Sequence, residues 1–567
     1  MKPTSFLITT GSVQSRTTNI SPAYSDEFCS LFLRTHNTHY IQHLCDEEGF
    51  TVFIGERTKE SLLNNGINSP GQGTLIQYKK ASGKLVIHTD RLGTAVLYYT
   101  RNQSDSIEIS NRLDNLTLAG KSPNWPSVQQ YLNTGYTIRS STFFHGVEQT
   151  LPNEKLTASS TDSFQIKRSQ ANSNPALSME RPNDEQLIDK LGKRLSAVLD
   201  GLPSSVLMMS AGWDSRTLLM NGPENYRTAY THGDLSSREI TISRGLTGTL
   251  RMDHLFTDLR NLELSNGHLE LMLDELGFCV FPVWHIAGQR AQEIYDAPLS
   301  SGVLGELMGG HYGLLSMGDR LQKALASLSV LNGKPIRDEQ LKKALDLFTT
   351  PAPDHWFLST KGHAVLTESA GTTKAKMRAH LDSIYSHTKD WQRAIETFNM
   401  EHRARQYILK QAQAAASTSG YVAPFADDQL VNMVHQIDFN TRVHNKLNQK
   451  MLKSKNSHLL DYSMAATLIP AKYPIIFQEL SRGVRIALEQ TRKILGRNQP
   501  RLGWFNYEHL YQSRILHDIT DSISLDIWDK SKMHKSLALN PEIGIDAGST
   551  LDMLCKIKTV DYHLRTT

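Results

Sequence analysis

The residues with the most obvious capacity for chemistry are Ser210-Ala211-Gly212-Trp213-Asp214-Ser215. They follow an apolar run, Val206-Leu207-Met208-Met209, and precede a second, Leu218-Leu219-Met220. A buried strand, a tight turn and a helix N-terminus read this way in sequence. Such a turn gathers several backbone N–H groups, and the helix end adds partial positive charge, so the joint suits a phosphate. The Walker A spacing G-x-x-x-x-G-K-[ST] and its lysine are absent. Taken alone, the stretch also fits any strand–turn–helix joint of an α/β domain.

The elements needed to position that joint are legible on both sides. Before it, Leu187, Leu191, Leu195, Val198 and Leu199 form one helical stripe, with Asn183 or Asp184 as cap. After it, Arg227-Thr228-Ala229-Tyr230-Thr231 reads as a strand ending at His232-Gly233-Asp234. Strand, helix, strand at this spacing predicts a right-handed parallel unit with ligands at the carboxyl ends of the strands, which brings Thr231 toward the ligand. Ser236-Ser237-Arg238-Glu239 then opens a helix, where Glu239 reads as a cap or dipole complement. Residues 166–184 are rich in Ser, Asn, Gln and Pro and read as a linker. Ahead of it, strand-like runs at 51–54, 74–78, 84–88 and 96–99 dominate, with Ala81-Ser82-Gly83 as a hairpin turn.

Together with its surroundings, Ser210–Ser215 resembles the S-G-G-x-D-S pyrophosphate loop of the asparagine synthetase family, with Ala211 at the second position. Asp90-Arg91-Leu92-Gly93-Thr94-Ala95-Val96-Leu97-Tyr98-Tyr99 is similar to the D-R-x-G-x-x-x-L-Y-Y segment of that family's glutaminase domain. Residues 132–136 and 142–147 resemble the stretch that closes it. Leu299–Tyr312 is similar to S-G-x-G-G-D-E-x-F-G-G-Y. Aligning Ser301-Gly302 puts Glu306 on the magnesium-binding acid; aligning Gly309-Gly310 puts Gly305 there instead. Glu306 is the only carboxylate in the run, and magnesium needs hard oxygen ligands. Pro424-Phe425-Ala426-Asp427-Asp428-Gln429-Leu430-Val431 matches P-F-x-D-x-x-L-V without a gap. Arg442–Lys450 falls where the family has G-R-x-K-x-x-L-R.

The resemblance covers roughly residues 51–453. It implies an α+β, Ntn-hydrolase-like αββα sandwich at 1–165, degenerate as a glutaminase. After the linker at 166–184 it implies an α/β PP-loop synthetase domain at 185–470, and residues 471–567 read as a helical extension packing on that domain, with Trp504 and Trp528 among its scattered aromatics. The family's glutaminase begins with a catalytic cysteine, whereas this chain begins Met1-Lys2; cleavage ahead of Cys29 could expose such a thiol, but Ser30-Leu31 follows where the family has glycine. The implied activity is an ATP-dependent, AMP-forming carbon–nitrogen ligase without its own glutaminase. ATP and Mg2+ would sit over Ser210, Ala211, Gly212, Asp214, Ser215, Thr231 and Gly302, with Asp214 and Glu306 as metal ligands. Lys446 matches the lysine that stabilises departing pyrophosphate, with Lys450 its substitute. Arg403, Arg405 and Asp427 become cleft residues, Asp427 equally a helix cap, and Glu239 has a supporting role beside a bound nucleotide as the alternative to capping. The implied partners are a small-molecule or peptide carboxylate, an amine, and biosynthetic partner proteins. An ammonia-using amidotransferase, a lasso-peptide macrolactam cyclase and a catalytically inactive scaffold remain alternatives.

Composition sets outer limits. A length of 567 residues allows two or three domains. A net charge of +4 and the lack of a basic block give no reason to expect nucleic acid. Cys29, Cys45, Cys279 and Cys555 lack C-x-x-C spacing, which fits a reducing compartment, and no apolar run approaches a membrane span. The expected location is cytoplasmic.

Overall fold

The computed structural model describes residues 5–10, 20–34, 40–56, 72–102, 105–160, 165–170, 184–260, 262–314, 320–349, 355–416, 420–455, 457–494, 507–543 and 545–565. The chain is mixed α/β. In the N-terminal region, alternating apolar residues build two antiparallel sheets of six strands each. The first runs, in spatial order, Val147–Gln149, Tyr98–Arg101, Ile107–Ser110, Ser5–Thr10, Cys29–Arg34, Tyr24–Ser25. The second runs Lys167–Gln170, Glu154–Ser159, Lys84–Thr89, Gln72–Lys79, Gly49–Glu56, Ile41–Asp46. Phe6, Ile8, Leu31 and Ile109 of the first sheet share one core with Val52, Ile54, Ile76 and Ile87 of the second. Both sheet layers of the expected sandwich are therefore present; the α-helix among the described residues here is Trp125–Thr134, and residues 57–71 lie outside them.

One detail differs from expectation. Lys167–Gln170 pairs with Glu154–Ser159, so the start of the expected linker is an edge strand. Residues 171–183, including the candidate cap Asn183, lie outside the described residues, as do Met1, Lys2 and Trp504. Cys29 opens a strand in register with Thr10 and is fully buried, so no cleavage ahead of it would free its thiol without dismantling the sheet pairing.

The central region is organised by a five-stranded parallel sheet, in the order His254–Asp258, Tyr226–Gly233, Ser205–Met208, Leu299–Ser301, Tyr421–Val422. Ser205–Met208 is buried along its whole length, as a parallel strand covered on both faces should be. The helix Asp184–Asp200 turns Leu187, Leu191, Leu195, Val198 and Leu199 inward. The chain leaves Ser205–Met208 first to one side and later to the other, which makes the carboxyl end of this strand the point where strand order reverses. Open parallel sheets bind their ligands in that crevice.

Two buried arginines hold the crevice in shape. Arg216 donates to the carbonyls of Ala211, Leu459, Tyr462 and Ser463. Arg442 makes a bidentate pair with Glu396, at 2.9 and 2.7 Å, and donates to Leu307 O. The helices Ile475–Ile494, Ile515–Ser522, Lys530–Leu539 and Ala547–Leu564 form the carboxyl-terminal part. Trp528 is buried there, its indole N–H on Asp561. This part packs more widely than on the central region alone: Tyr562 donates to Asp114 of the N-terminal region, while Cys279 of the central region donates to Cys555 O. No described helix is long and apolar enough to cross a membrane.

Candidate active site

A cleft with about 500 Å³ of water-accessible space opens at the carboxyl ends of Ser205–Met208 and Leu299–Ser301. Ser210, Gly212, Asp214 and Ser215 line it from one strand's end, Ser301, Gly302, Val303 and Glu306 from the other's. The helix Trp213–Asn221 begins at Gly212 with no side chain capping it, so its first N–H groups have no such partner. Ser210 and Ser215 hydroxyls meet at 2.7 Å, and Gly212 N–H donates to Ser210 Oγ at 3.2 Å, which closes the turn. Ala211 is not among the residues of positive φ, so alanine is accommodated without backbone strain. Its N–H donates to Glu239 Oε2 at 2.8 Å, so Glu239 braces the loop in addition to opening its own helix.

Asp214 and Glu306 come together here, two segments apart in sequence. A Cβ on Gly305 would stand 2.6 Å from Asp214 Cγ, and one on Gly302 would stand 2.8 Å from Asp214 Cβ. Glycine at both places lets the two loops approach this closely. Burial first, and the Glu306 charge second, push the Asp214 carboxyl well above the usual range, and burial raises Glu306. Tyr312 donates to Glu306 Oε2 at 3.2 Å, and Asn448 Nδ2 lies 3.4 Å from Asp214 Oδ1. Two carboxylates forced together away from water suit a hard divalent cation. The opposite wall is aromatic: Trp284 meets His232 edge-on at 4.8 Å between centroids, and burial pushes the His232 imidazole down to about 3, which keeps it neutral.

Several residues expected in the cleft lie elsewhere. Thr231 is turned away, bonded to Met209 O and His254, and the next residue, His232, lines the cleft in its place. Successive residues of a strand face opposite sides, so the two cannot both reach it. Lys446 donates to Asn440 O at 3.1 Å and is not among the cleft's lining residues. Arg405 is buried at the seam with the N-terminal region, donating to Gly93 O and Thr150 O; burial brings it down to about 10. Asp427 caps the helix Asp428–Gln436 through Leu430 N–H and pairs with Arg194, so the capping role holds and the cleft role does not. Arg403 lies over the Tyr407 ring, 5.6 Å from its centroid, and does not line the cleft, but its charge still acts on Glu306 and Tyr312.

The segments that resembled family motifs still meet one another. Gly93, of the Asp90–Tyr99 segment, receives Arg405, and Arg91 N–H donates to Asp428 of the Pro424–Val431 segment at 3.2 Å. Their meeting place is the seam between the two regions, away from the cleft. Asn448, His232, Trp284, Gln411 and Tyr507 line or face the site without having been singled out from sequence. Asn448 was within reach: it lies two positions beyond Lys446 on a helix, about 200° around it. No protein-family model and no curated protein matches the chain.

Proposed function

We propose that the chain is an ATP-dependent ligase that joins a carboxylate to an amine and releases AMP and pyrophosphate. One observation carries the reading: an uncapped helix N-terminus and a tight loop lie against a buried carboxylate pair, Asp214 and Glu306, at the reversal point of a parallel sheet. We read that sheet as a PP-loop synthetase domain and the N-terminal sandwich as a glutaminase-like relic.

The loop N–H groups and the helix end would bind the ATP phosphates. Asp214 and Glu306 would hold magnesium, which when bound neutralises charge on those phosphates. Tyr312 orients Glu306, and Asn448 orients Asp214. The neutral His232 and Trp284 offer an aromatic wall, and His232 is not an imidazolium acid at ordinary pH. The substrate carboxylate attacks the α-phosphorus, pyrophosphate leaves, and the amine displaces AMP from the acyl-adenylate. Holding carboxylate and phosphate together contributes at most about 7–11 kcal/mol to the rate. The amine is ammonia, a small molecule or a peptide.

A second reading has its own support. Glu239 already places a carboxylate on the N–H of Ala211, inside the loop that would receive phosphate, and an anion there opposes another. This favours a catalytically silent scaffold. Equilibrium ATP binding separates the two. The ligase reading expects binding that requires magnesium, and at least a tenfold loss in Asp214→Asn, about 1.4 kcal/mol. ATP affinity that is equal in both proteins, or absent in both, refutes it.

A further inference from the structure

A second cavity lies at the seam between the N-terminal and central regions, with about 160 Å³ of water-accessible space. Engineered apolar cavities of about 150 Å³ take up benzene, which sets the scale of an occupant. Its walls include Tyr98, Tyr131 and Phe143 from the N-terminal region and Phe278 from the central one. The helix Leu409–Ala415 supplies Lys410 and Gln413 to the same cavity. Residues three apart share a helix face, so both project the same way.

Lys410 is unusual in what surrounds it. Its ammonium stands 5.0 Å from the ring centroids of both Tyr131 and Phe278, and it makes no ion pair or hydrogen bond with a described residue. The Gln413 side chain likewise makes no hydrogen bond with a described residue. The acids and bases around them are already engaged. Glu275 is held by His285 at 2.9 Å, and Cys279 donates its thiol proton to Cys555 O at 3.2 Å. Arg112 is paired with Asp114, and Arg405 is spent on two carbonyls. A cation taken from water onto aromatic faces alone recovers only part of its hydration. Burial accordingly brings Lys410 down to about 8.

We propose that this cavity binds a small monocarboxylate whose apolar body is about the size of one ring. Its carboxylate meets Lys410 and Gln413, and its body lies against Tyr131, Phe143 and Phe278. A bare phosphate would satisfy the ammonium but leave those aromatic walls uncovered. The inference does not rest on the ligase reading, although the two cavities share a wall: Gln411 and Ala412 of the same helix line the candidate active site.

Benzoate is the probe, with benzamide as its uncharged isostere, titrated calorimetrically into the full-length protein. The wild type should bind benzoate at least tenfold more tightly than benzamide. Lys410→Met keeps the apolar stem and removes the charge; it should lose benzoate affinity at least tenfold and keep benzamide affinity. Lys410→Arg, which retains the cation, should keep benzoate preferred and guards against a folding defect in the Met variant. Asp214→Asn alters only the other cleft and should leave benzoate affinity within twofold. Saturable benzoate binding that survives Lys410→Met, or that is lost in Asp214→Asn, places the probe elsewhere and overturns the proposal. So does equal affinity for benzoate and benzamide, or the absence of saturable benzoate binding.

Discussion

Replacing Glu306 by Gln should make the cation-free protein more stable at pH 8 while abolishing its response to divalent metal. Gly305 precedes Glu306, and a Cβ on it would lie 2.6 Å from Asp214 Cγ. Beyond burial, the Glu306 charge raises the Asp214 carboxyl, as a like charge within about 4–6 Å does. At an effective dielectric of about 20 their repulsion is then roughly 2–4 kcal/mol. Both carboxyls are raised above their ordinary values of 3.8 and 4.5 in the folded protein. The folded state therefore binds more protons than the unfolded one above those values, and stability falls as pH rises through the raised range. Glutamine keeps an oxygen to accept from Tyr312 and removes one charge. In EDTA at pH 8 the variant should gain about 1–3 kcal/mol, a Tm higher by a few degrees. At pH 4, where the wild-type pair retains its protons, the gain should vanish. Added Mn2+ should raise the wild-type Tm at pH 8 and leave the variant nearly unmoved. The assay is thermal unfolding in EDTA and in excess Mn2+ across this pH range. A variant no more stable than wild type at pH 8 in EDTA, with an equal response to Mn2+, would refute the carboxylate pair as a cation site.

Arg405→Met should destabilise by about 3 kcal/mol or more, because two buried carbonyls at the seam lose their donor, each a loss of about 1–3 kcal/mol. Denaturant melts measure this, and ATP affinity of the folded protein should be unchanged. Asp427→Ala should cost about 1–2 kcal/mol or more, from its helix cap and its part-buried pairing with Arg194, with no effect on metal binding. Asn448→Ala should weaken Mn2+ binding several-fold while Lys446→Met leaves it unchanged, since only Asn448 reaches Asp214; metal titrations of the two variants decide it. Ellman's reagent should find one fast thiol per native chain, the exposed Cys45, with Cys29, Cys279 and Cys555 reacting only on unfolding. No glutamate should be released from glutamine, because the Cys29 thiol is sealed in the sandwich core and burial raises its pKa.

Much of the fold was legible because periodicity reports burial directly. The stripe Leu187–Leu199 became one face of Asp184–Asp200, and the apolar run ending at Met209 became the fully buried strand Ser205–Met208. Turn chemistry was as readable: Gly83 sits at φ 55°, closing the hairpin expected at Ala81-Ser82-Gly83. The long-range packing was not legible. Arg405 reads as one cation in a polar-looking run, Glu401–Tyr407, yet its partners are carbonyls 312 and 255 residues away. Lys167–Gln170 carries no apolar residue; its edge-strand pairing comes from backbone bonds that composition does not announce.

Within the candidate site the same division holds at finer grain. Residue type could identify a carboxylate for a metal, and Asp214 and Glu306 do meet. Residue phase decided everything else. A shift of one position on the strand Tyr226–Gly233 exchanges Thr231 for His232, and two positions on the helix Lys446–Lys455 exchange a lysine for Asn448. Phase is set by what each element buries: Thr231 is drawn to Met209 O and His254, and Leu447 and Met451 are buried while Lys446 is half-buried and Lys450 exposed. A motif therefore predicts where a segment lies more securely than which of its side chains looks into the cleft. The helix Leu409–Ala415 shows the consequence. Its Gln411 and Ala412 face the cleft and its Lys410 and Gln413 face the seam, so a single step along the chain separates the linings of two cavities.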